Sequence, residues 1–514
     1  MDTRYSITNA NVITLDPNNP IARSIEVEDG KIISINSREP GSKNIDLNGA
    51  TVIPGLIDSH YHIKNTGKRL EMINLRGVGD LDKIRSLVQE RARSLPRGSW
   101  VQGFGWDQTL FEGGRFPSSD VLDSLDIPNP VFLTRIDGHS AWVNTSALKV
   151  SSFPDQIPDG GELINGCVLI DNAMMPVRSS IPSDTSDDLA RWSRASAERT
   201  VRLGVTGVHD AWTDRTALDS LIGMEASNEL PHRVYSMLAS SDKDLLDEYF
   251  KKGGYESELI SVRSAKAFID GALGSRGAAL FEPYCDDHNN CGLVLISPDE
   301  FKGLASRCHD NNFQLNTHAI GDRGNSLVID TYSDVLGGPN DRRWRIEHAQ
   351  MVRSQDIQRF KDFSLVPSMQ PSHCTSDMRW MDGRIGPHRS HRISRWQTFI
   401  DMGIQIPGGS DCPIEDGNPM LEYYAAVTRK DTAGFPDGGW QPQEKVSRMN
   451  ALRMFTTWAA YGSFCESRRG MIAPGLDADL TVLSNDITSC DETEIIGTEV
   501  MMTVVGGREV YNAL

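Results

Sequence analysis

The chain has 514 residues, with 70 Asp and Glu against 52 Lys and Arg, for a net charge of -18 at pH 7. Hydrophobic residues make up 39% and charged residues 24%, a globular composition that excludes disordered and collagen-like chains and leaves room for about two to four domains, or one large barrel with additions. The acidic balance argues against a nucleic-acid partner, and no run of 18 apolar residues offers a membrane span.

Met1 to Tyr5 lacks the basic-then-apolar plan of a secretory signal. The eight cysteines form no CxxC pair and no dense framework, which points to reduced thiols in a cytoplasm. Cys285-x-x-His288-x-x-Cys291 has the look of a zinc clip, but it lies in a polar Asp/Asn-rich stretch with no fourth ligand nearby and reads as a loop.

The chain opens on short strand patterns at Tyr5–Leu15, Ser24–Val27 and Lys31–Ile35, split by turn signals such as Asp29-Gly30. Matching patterns return at Asp479–Leu483 and Glu499–Val504. Together the two ends, residues 1–53 and 470–514, predict one composite β-sandwich bracketing the rest. Between them, apolar runs alternate with helical stretches such as Leu189–Leu203 and Pro298–Asn311, the signature of α/β with parallel strands. Eight runs fit a (β/α)₈ TIM barrel over 54–469: Thr51–Ile57, Val205–Val208, Arg233–Met237, Val262–Ile269, Phe313–Asn316, Trp344–Ile346, Leu365–Met369 and Ile404–Ile406. About 140 residues separate the first two runs, so a large insertion follows the first strand, an inserted subdomain at about 65–200.

The 12 histidines carry the strongest chemical signal. His60 and His62 follow the first run, and residues two apart on a strand share a face. His318 ends the fifth run, His348 the sixth, and Asp411 the eighth. Barrel enzymes build their sites at the C-terminal ends of the strands, so five ligand-type residues at four such ends point to a metal centre. Lys266 stands among small and apolar residues of the fourth run. Taken alone it reads as a salt bridge to Asp270 or Glu347. The other reading is a buried, neutral amine able to capture CO₂ as a carbamate.

Eight stretches along the whole chain resemble the amidohydrolase superfamily, and within it the amidohydrolase-3, YtcJ-like group that includes N-substituted formamide deformylases. They are Val52–His62, Gly103–Asp107, Arg135–Asn144, Lys266–Arg276, Thr317–Arg323, Arg345–Gln350, Gly409–Pro413 and Gly470–Leu483. The resemblance implies a metal-bearing barrel with a composite β-sandwich. It also implies two divalent metal ions: His60 and His62 on the first with Asp411 completing that site, His318 and His348 on the second, and Lys266 bridging them as N6-carboxylysine. Zinc suits the histidine-rich set; manganese and iron are the alternatives that oxygen ligands allow.

The implied reaction is hydrolysis of a C–N bond, in an amide or N-substituted formamide, by a metal-activated hydroxide. Asp411 would act as general base and then general acid. His139, in Asp137–Ser140, is expected to bind or polarise the substrate carbonyl, with a structural loop histidine as the other reading. Trp106 and Asp107 are expected to line the pocket, although Trp106 also fits a core position. Arg276 and Asp322 are expected to orient substrate or to hold ligand histidines, and His373, just past the seventh run, is a further pocket candidate. The alternatives are a mononuclear deaminase of a heterocycle, which would not need Lys266, and a non-catalytic scaffold on the same fold. The expected partner is a small-molecule amide, with a homodimer as the expected assembly.

Overall fold

The computed structural model describes residues 4–37, 43–136 and 138–514. The chain divides into one unit of residues 1–65 with 193–514 and a second of residues 66–192.

In the first unit, two sheets enclose one apolar core. The first runs Lys31–Ile35, Ile25–Glu28, Tyr5–Thr8, Lys43–Asp46. The second joins the chain's two ends in the order Arg508–Asn512, Val500–Val505, Leu480–Leu483, Thr51–Pro54, Asn11–Ile13, Ile21–Ala22. Val52 pairs antiparallel with Val482. Ile7, Val12, Ile25, Val52, Val482 and Val504 fill the space between the sheets at 0% exposure. Alternation of buried and outward residues holds such a register, since a one-residue slip would turn the apolar set to solvent.

The expected first barrel run, Thr51–Ile57, is two strands. Thr51–Pro54 belongs to the terminal sheet and Leu56–Tyr61 begins the barrel. Gly55 is the joint: a Cβ there would come within 2.4 Å of Thr206 Oγ1, so only glycine lets the chain change sheets so close to the second strand.

Seven parallel strands follow one another around the barrel: Leu56–Tyr61, Val205–Thr213, Arg233–Ala239, Ile260–Phe268, Gln314–Ala319, Arg345–His348 and Val366–Ser368. The eighth position is not Ile404–Ile406. It is taken by the segment from Pro407 to Cys412, which has no regular strand and bonds to both neighbours. Met369 N donates to Pro407 O (3.0 Å) and Gly409 N to Met369 O (3.1 Å), while Ser59 N donates to Gly408 O (2.9 Å) and Asp411 N to His60 O (2.7 Å). Two glycines and a flanking proline weaken strand propensity, and these bonds supply the order that propensity does not. Helices connect the strands. Pro298–Asp310, for example, starts with a capping box between Ser297 and Glu300. None of the described helices is long and apolar enough to cross a membrane.

The second unit has its own mixed sheet, ordered Gly161–Ile164, Val168–Asp171, Ser140–Val143, Val131–Arg135, Val101–Trp106, Ile73–Asn74. Helix Leu81–Ser94, capped by Asp80, contributes Ile84 and Val88 to a core with Trp106, Leu133 and Trp142.

Candidate metal and active site

The C-terminal ends of the barrel strands bring His60, His62, His318, His348 and Asp411 to one cavity, together with His373 from the helix after the seventh strand, while Lys266 is buried behind His60. Donor atoms of His60, His62 and Asp411 all lie within 4.8 Å of one another, as do those of His348, His373 and Asp411. Asp411 is the shared member: its Oδ1 is 3.0 Å from His62 Nε2 and 3.5 Å from His60 Nε2, and its Oδ2 is 3.6 Å from His373 Nε2. His348 and Asp411 both hold left-handed backbone, φ 70° and 56°. For such residues this costs about 1–3 kcal/mol each and survives only where the surroundings impose it.

The His318 ring meets that of His348 edge-on, centroids 4.5 Å apart. The resemblance paired these two on one ion, yet the nearer donor set around His348 uses His373. His318 Nε2 instead lies 3.8 Å from Asp270 Oδ1 and has no hydrogen-bond partner, as is also true of His373 Nε2. Buried nitrogens left without partners are uncommon in folded proteins. Here they, and the crowded donors around Asp411, fit a divalent cation.

Burial favours the neutral form of three of the histidines, His60, His318 and His348. Burial and then the charge of Lys266 push His60 down to about 4 and His318 to about 3, and burial with neighbouring histidines lowers His348 well below its ordinary value. A neutral imidazole keeps a lone pair for a metal. The tautomers are set from behind. His60 Nδ1 donates to Glu347 Oε2 (2.6 Å) and His348 Nδ1 to Gln370 Oε1 (2.7 Å), so both Nε2 atoms present lone pairs to the cavity. For Asp411, burial alone would raise the pKa, but His60, His62 and His348 outweigh it and hold the carboxyl well below its ordinary value.

Lys266 is fully buried. It makes no ion pair with Asp270 or Glu347; its Nζ is 3.4 Å from His60 Nε2, 3.3 Å from Ala211 O and 4.6 Å from the centre of the Phe268 ring. The ordinary salt-bridge reading is therefore set aside. Burial pushes its pKa down to about 8.

Beneath the histidines runs a buried network whose pairings the sequence reading did not give. Arg345 Nε lies 2.7 Å from Glu347 Oε1, and its Nη1 and Nη2 donate to His209 Nδ1 (2.9 Å), Ser59 O (2.6 Å) and Ser368 Oγ (2.8 Å). Asp58 accepts from His60 N (3.1 Å), Ser410 N (3.0 Å) and Ser410 Oγ (2.6 Å), tying the first strand to the segment that carries Asp411. The only sequence signal for these residues was their place inside the strands that bear the ligands.

The other candidates have local partners of their own. Trp106 is wholly buried, and its indole N–H donates to Leu133 O (2.7 Å); it is core of the second unit and has no face left for a ligand. Asp107 caps a short 3-10 turn by accepting from Thr109 N (2.9 Å) and pairs with Arg135. His139 is largely exposed and bonds Asp171 (2.8 Å); Asp137 lies outside the described residues. Arg276 is half-exposed and pairs with Asp286 (2.9 Å), away from the cavity wall. Asp322 is buried, but it accepts from Phe281 N (3.1 Å) and Arg392 Nη1 (2.9 Å) and so holds loops together. Among the described residues, Cys285, His288 and Cys291 form no metal-type cluster.

The cavity has a volume of about 590 Å³. Trp212, Phe268, Leu273, Ile320 and Trp380 form its apolar wall, and Asp377 and Glu415 also line it. Burial pushes Asp377 up to about 6, and the nearby charge of Glu415 adds to the rise.

The amidohydrolase family matches this sequence over residues 43–511. Protein LONG AFTER FAR-RED 3 of Arabidopsis thaliana is 31% identical over 98% of this chain and 91% of its own length. The Bacillus subtilis protein described as amidohydrolase YtcJ is 30% identical over 95% of this chain and 96% of its own. The N-substituted formamide deformylase of Arthrobacter pascens is 26% identical over 98% and 97%. Among solved structures, an uncharacterised metal-dependent hydrolase from Pyrococcus horikoshii superposes with a TM-score of 0.81 at 25% identity, covering 95% of this chain and 98% of that one.

Proposed function

The chain belongs to the amidohydrolase family, and from that premise we propose that it is a metal-dependent hydrolase that cleaves the C–N bond of an amide or N-substituted formamide. The observation that carries this reading is the set of partly unpartnered histidines converging on Asp411 at the C-terminal ends of the strands. The formamide deformylase among the relatives lends the substrate class.

His60, His62 and Asp411 would hold one divalent ion, zinc being the first choice for this donor set, and His348 with His318 or His373 a second, with Lys266 as a carbamate between them. Bound there, such ions supply Lewis acidity toward a carbonyl oxygen and lower the pKa of water toward about 7. Glu347 and Gln370 fix the rings of His60 and His348. The apolar wall keeps bulk water from the amide. Asp411 takes a proton from the attacking water through a carboxylate oxygen and returns it to the leaving nitrogen, so that the products are a carboxylic acid and an amine. The eight cysteines, none in a disulfide, suit a cytoplasmic location.

Metal content per chain and hydrolysis of a panel of formamides and N-acyl amines test the reading. Two ions with turnover, and an Asp411→Asn variant slower in kcat by about 10²–10⁴-fold, are expected. One ion per chain would favour a heterocycle deaminase instead. No ion, with no activity after metal is restored, would leave a scaffold.

A further inference from the structure

Charge is distributed unevenly around the cavity. Of the residues lining it, Asp377, Asp411 and Glu415 are acids, and none is Lys or Arg. Asp411 is engaged by histidines, as described. The other two carboxylates meet only neutral donors: Gln350 Nε2 donates to Asp377 Oδ2 (3.0 Å), and Ser376 Oγ donates to Glu415 Oε1 (2.7 Å). Neither forms an ion pair. The arginines of the same helix, Pro371–Ile385, pair with other acids, Arg379 with Asp431 (2.5 Å) and Arg384 with Asp286 (3.2 Å), although the Arg384 guanidinium also lies 5.5 Å from the Trp380 ring.

His373, Asp377 and Trp380 stand at i, i+4 and i+7 of that helix and therefore share one face. The face runs from the histidine beside Asp411, past a carboxylate, to an indole. Trp212 and Phe268, their rings 5.0 Å apart, add aromatic surface, and ring faces attract a cation. Phe268 and Trp380 already face Lys266 Nζ (4.6 Å) and the Arg384 guanidinium (5.5 Å), which leaves two half-buried, like-charged carboxylates and the Trp212 ring with an electrostatic deficit that an anionic or neutral substrate cannot relieve.

Resting on the hydrolase reading, we propose that this pocket selects a cationic substrate: an amide whose apolar portion carries an ammonium group one to two helical turns (about 6–10 Å) from the reacting carbonyl, held between Asp377 and Glu415. An amide bearing a carboxylate at that position would be rejected by the same two acids.

Three formamides of matched shape test this on the metal-loaded enzyme: N-[4-(aminomethyl)benzyl]formamide, its neutral 4-methyl analogue, and the analogue with a 4-carboxylate. The expected order of kcat/KM is cation over neutral by tenfold or more, with the anion slowest. Asp377→Asn should reduce the cation-to-neutral ratio about tenfold, and Glu415→Gln should move it the same way, which guards against a variant that fails to fold. Equal rates for the three, or a ratio untouched by both variants, would overturn the inference.

Turnover of none of them would count against the hydrolase reading instead. The charge preference is then read from calorimetric binding of benzyltrimethylammonium, which cannot coordinate a metal. Tighter binding to wild type than to Asp377→Asn supports it, and equal or absent binding overturns it.

Discussion

The two ends of the barrel bury charge in opposite ways. Near the N-terminal ends of the strands, Arg233 donates to both oxygens of Asp479 (2.6 and 2.9 Å), Gly506 N donates to Asp479 Oδ1 (2.7 Å), and Asp477 pairs with Lys31 (2.5 Å) and Arg469 (2.9 Å). Each acid there faces a guanidinium or ammonium. At the C-terminal ends, Lys266 has no carboxylate partner, His318 and His373 leave nitrogens unbonded, and two ligand-bearing residues hold left-handed backbone. Burying an ion without its counterion is expensive. A fold that meets this requirement at one end and not at the other is arranged for stability at the first and for a ligand at the second.

Matched substitutions at the two ends make the contrast measurable. Arg233→Met strips buried Asp479 of its nearer partner, leaving Arg469 at 3.8 Å, and should destabilise the unit by up to about 3–5 kcal/mol, seen as a lower urea midpoint. Lys266→Met, which exchanges an unpaired buried amine for an apolar chain of similar length, should leave the midpoint unchanged or raised when both proteins are compared in chelator, yet abolish hydrolysis. If the two midpoints fell equally, the division of labour between the ends would be wrong.

Glu347→Gln should weaken metal binding by about 10–100-fold, read by competition with a chromophoric chelator. Gln370→Ala removes only a neutral acceptor from His348 and should have a smaller effect in the same titration.

The smallest effect is in acid. Burial would raise the Asp477 carboxyl, but Lys31, Arg233 and Arg469 hold it below its ordinary value. A carboxyl whose folded pKa is depressed contributes its stability above its unfolded value, near 3.9, and loses it as pH falls through the folded value. Asp477→Asn should therefore lower the midpoint at pH 7 and shrink the drop between pH 5 and pH 3. An acid drop as large as that of wild type would remove Asp477 from the account.

Much of the fold was legible because hydrophobic runs of strand length recur between helical stretches, and the ligand residues stood out because they end those runs. His60, His318, His348 and Asp411 could be placed by position alone. What stayed hidden depends on partners far away in sequence. Pro407–Cys412 reads as a glycine-rich loop, and only its bonds to Ser59, His60 and Met369 make it a stave of the barrel. Glu347 and Gln370 look like any polar residues until a histidine nitrogen is found against each. Trp106 was open to two readings because an aromatic in a Gly-rich stretch has the same composition whether it walls a pocket or fills a core, and it packs in the core of the second unit.

The joint at Gly55 bears on how the protein is made. Gly55 N donates to Asp479 O (2.8 Å), Leu56 N donates to Thr481 Oγ1 (3.3 Å), and Thr51–Pro54 lies against Leu480–Leu483. The strand leading to His60 is thus clamped by residues translated more than 400 positions later. Before residues 479–483 leave the ribosome the strand carrying His60 has no clamp, and contacts of such long span form late. Until then that strand lacks the partners that hold it in place.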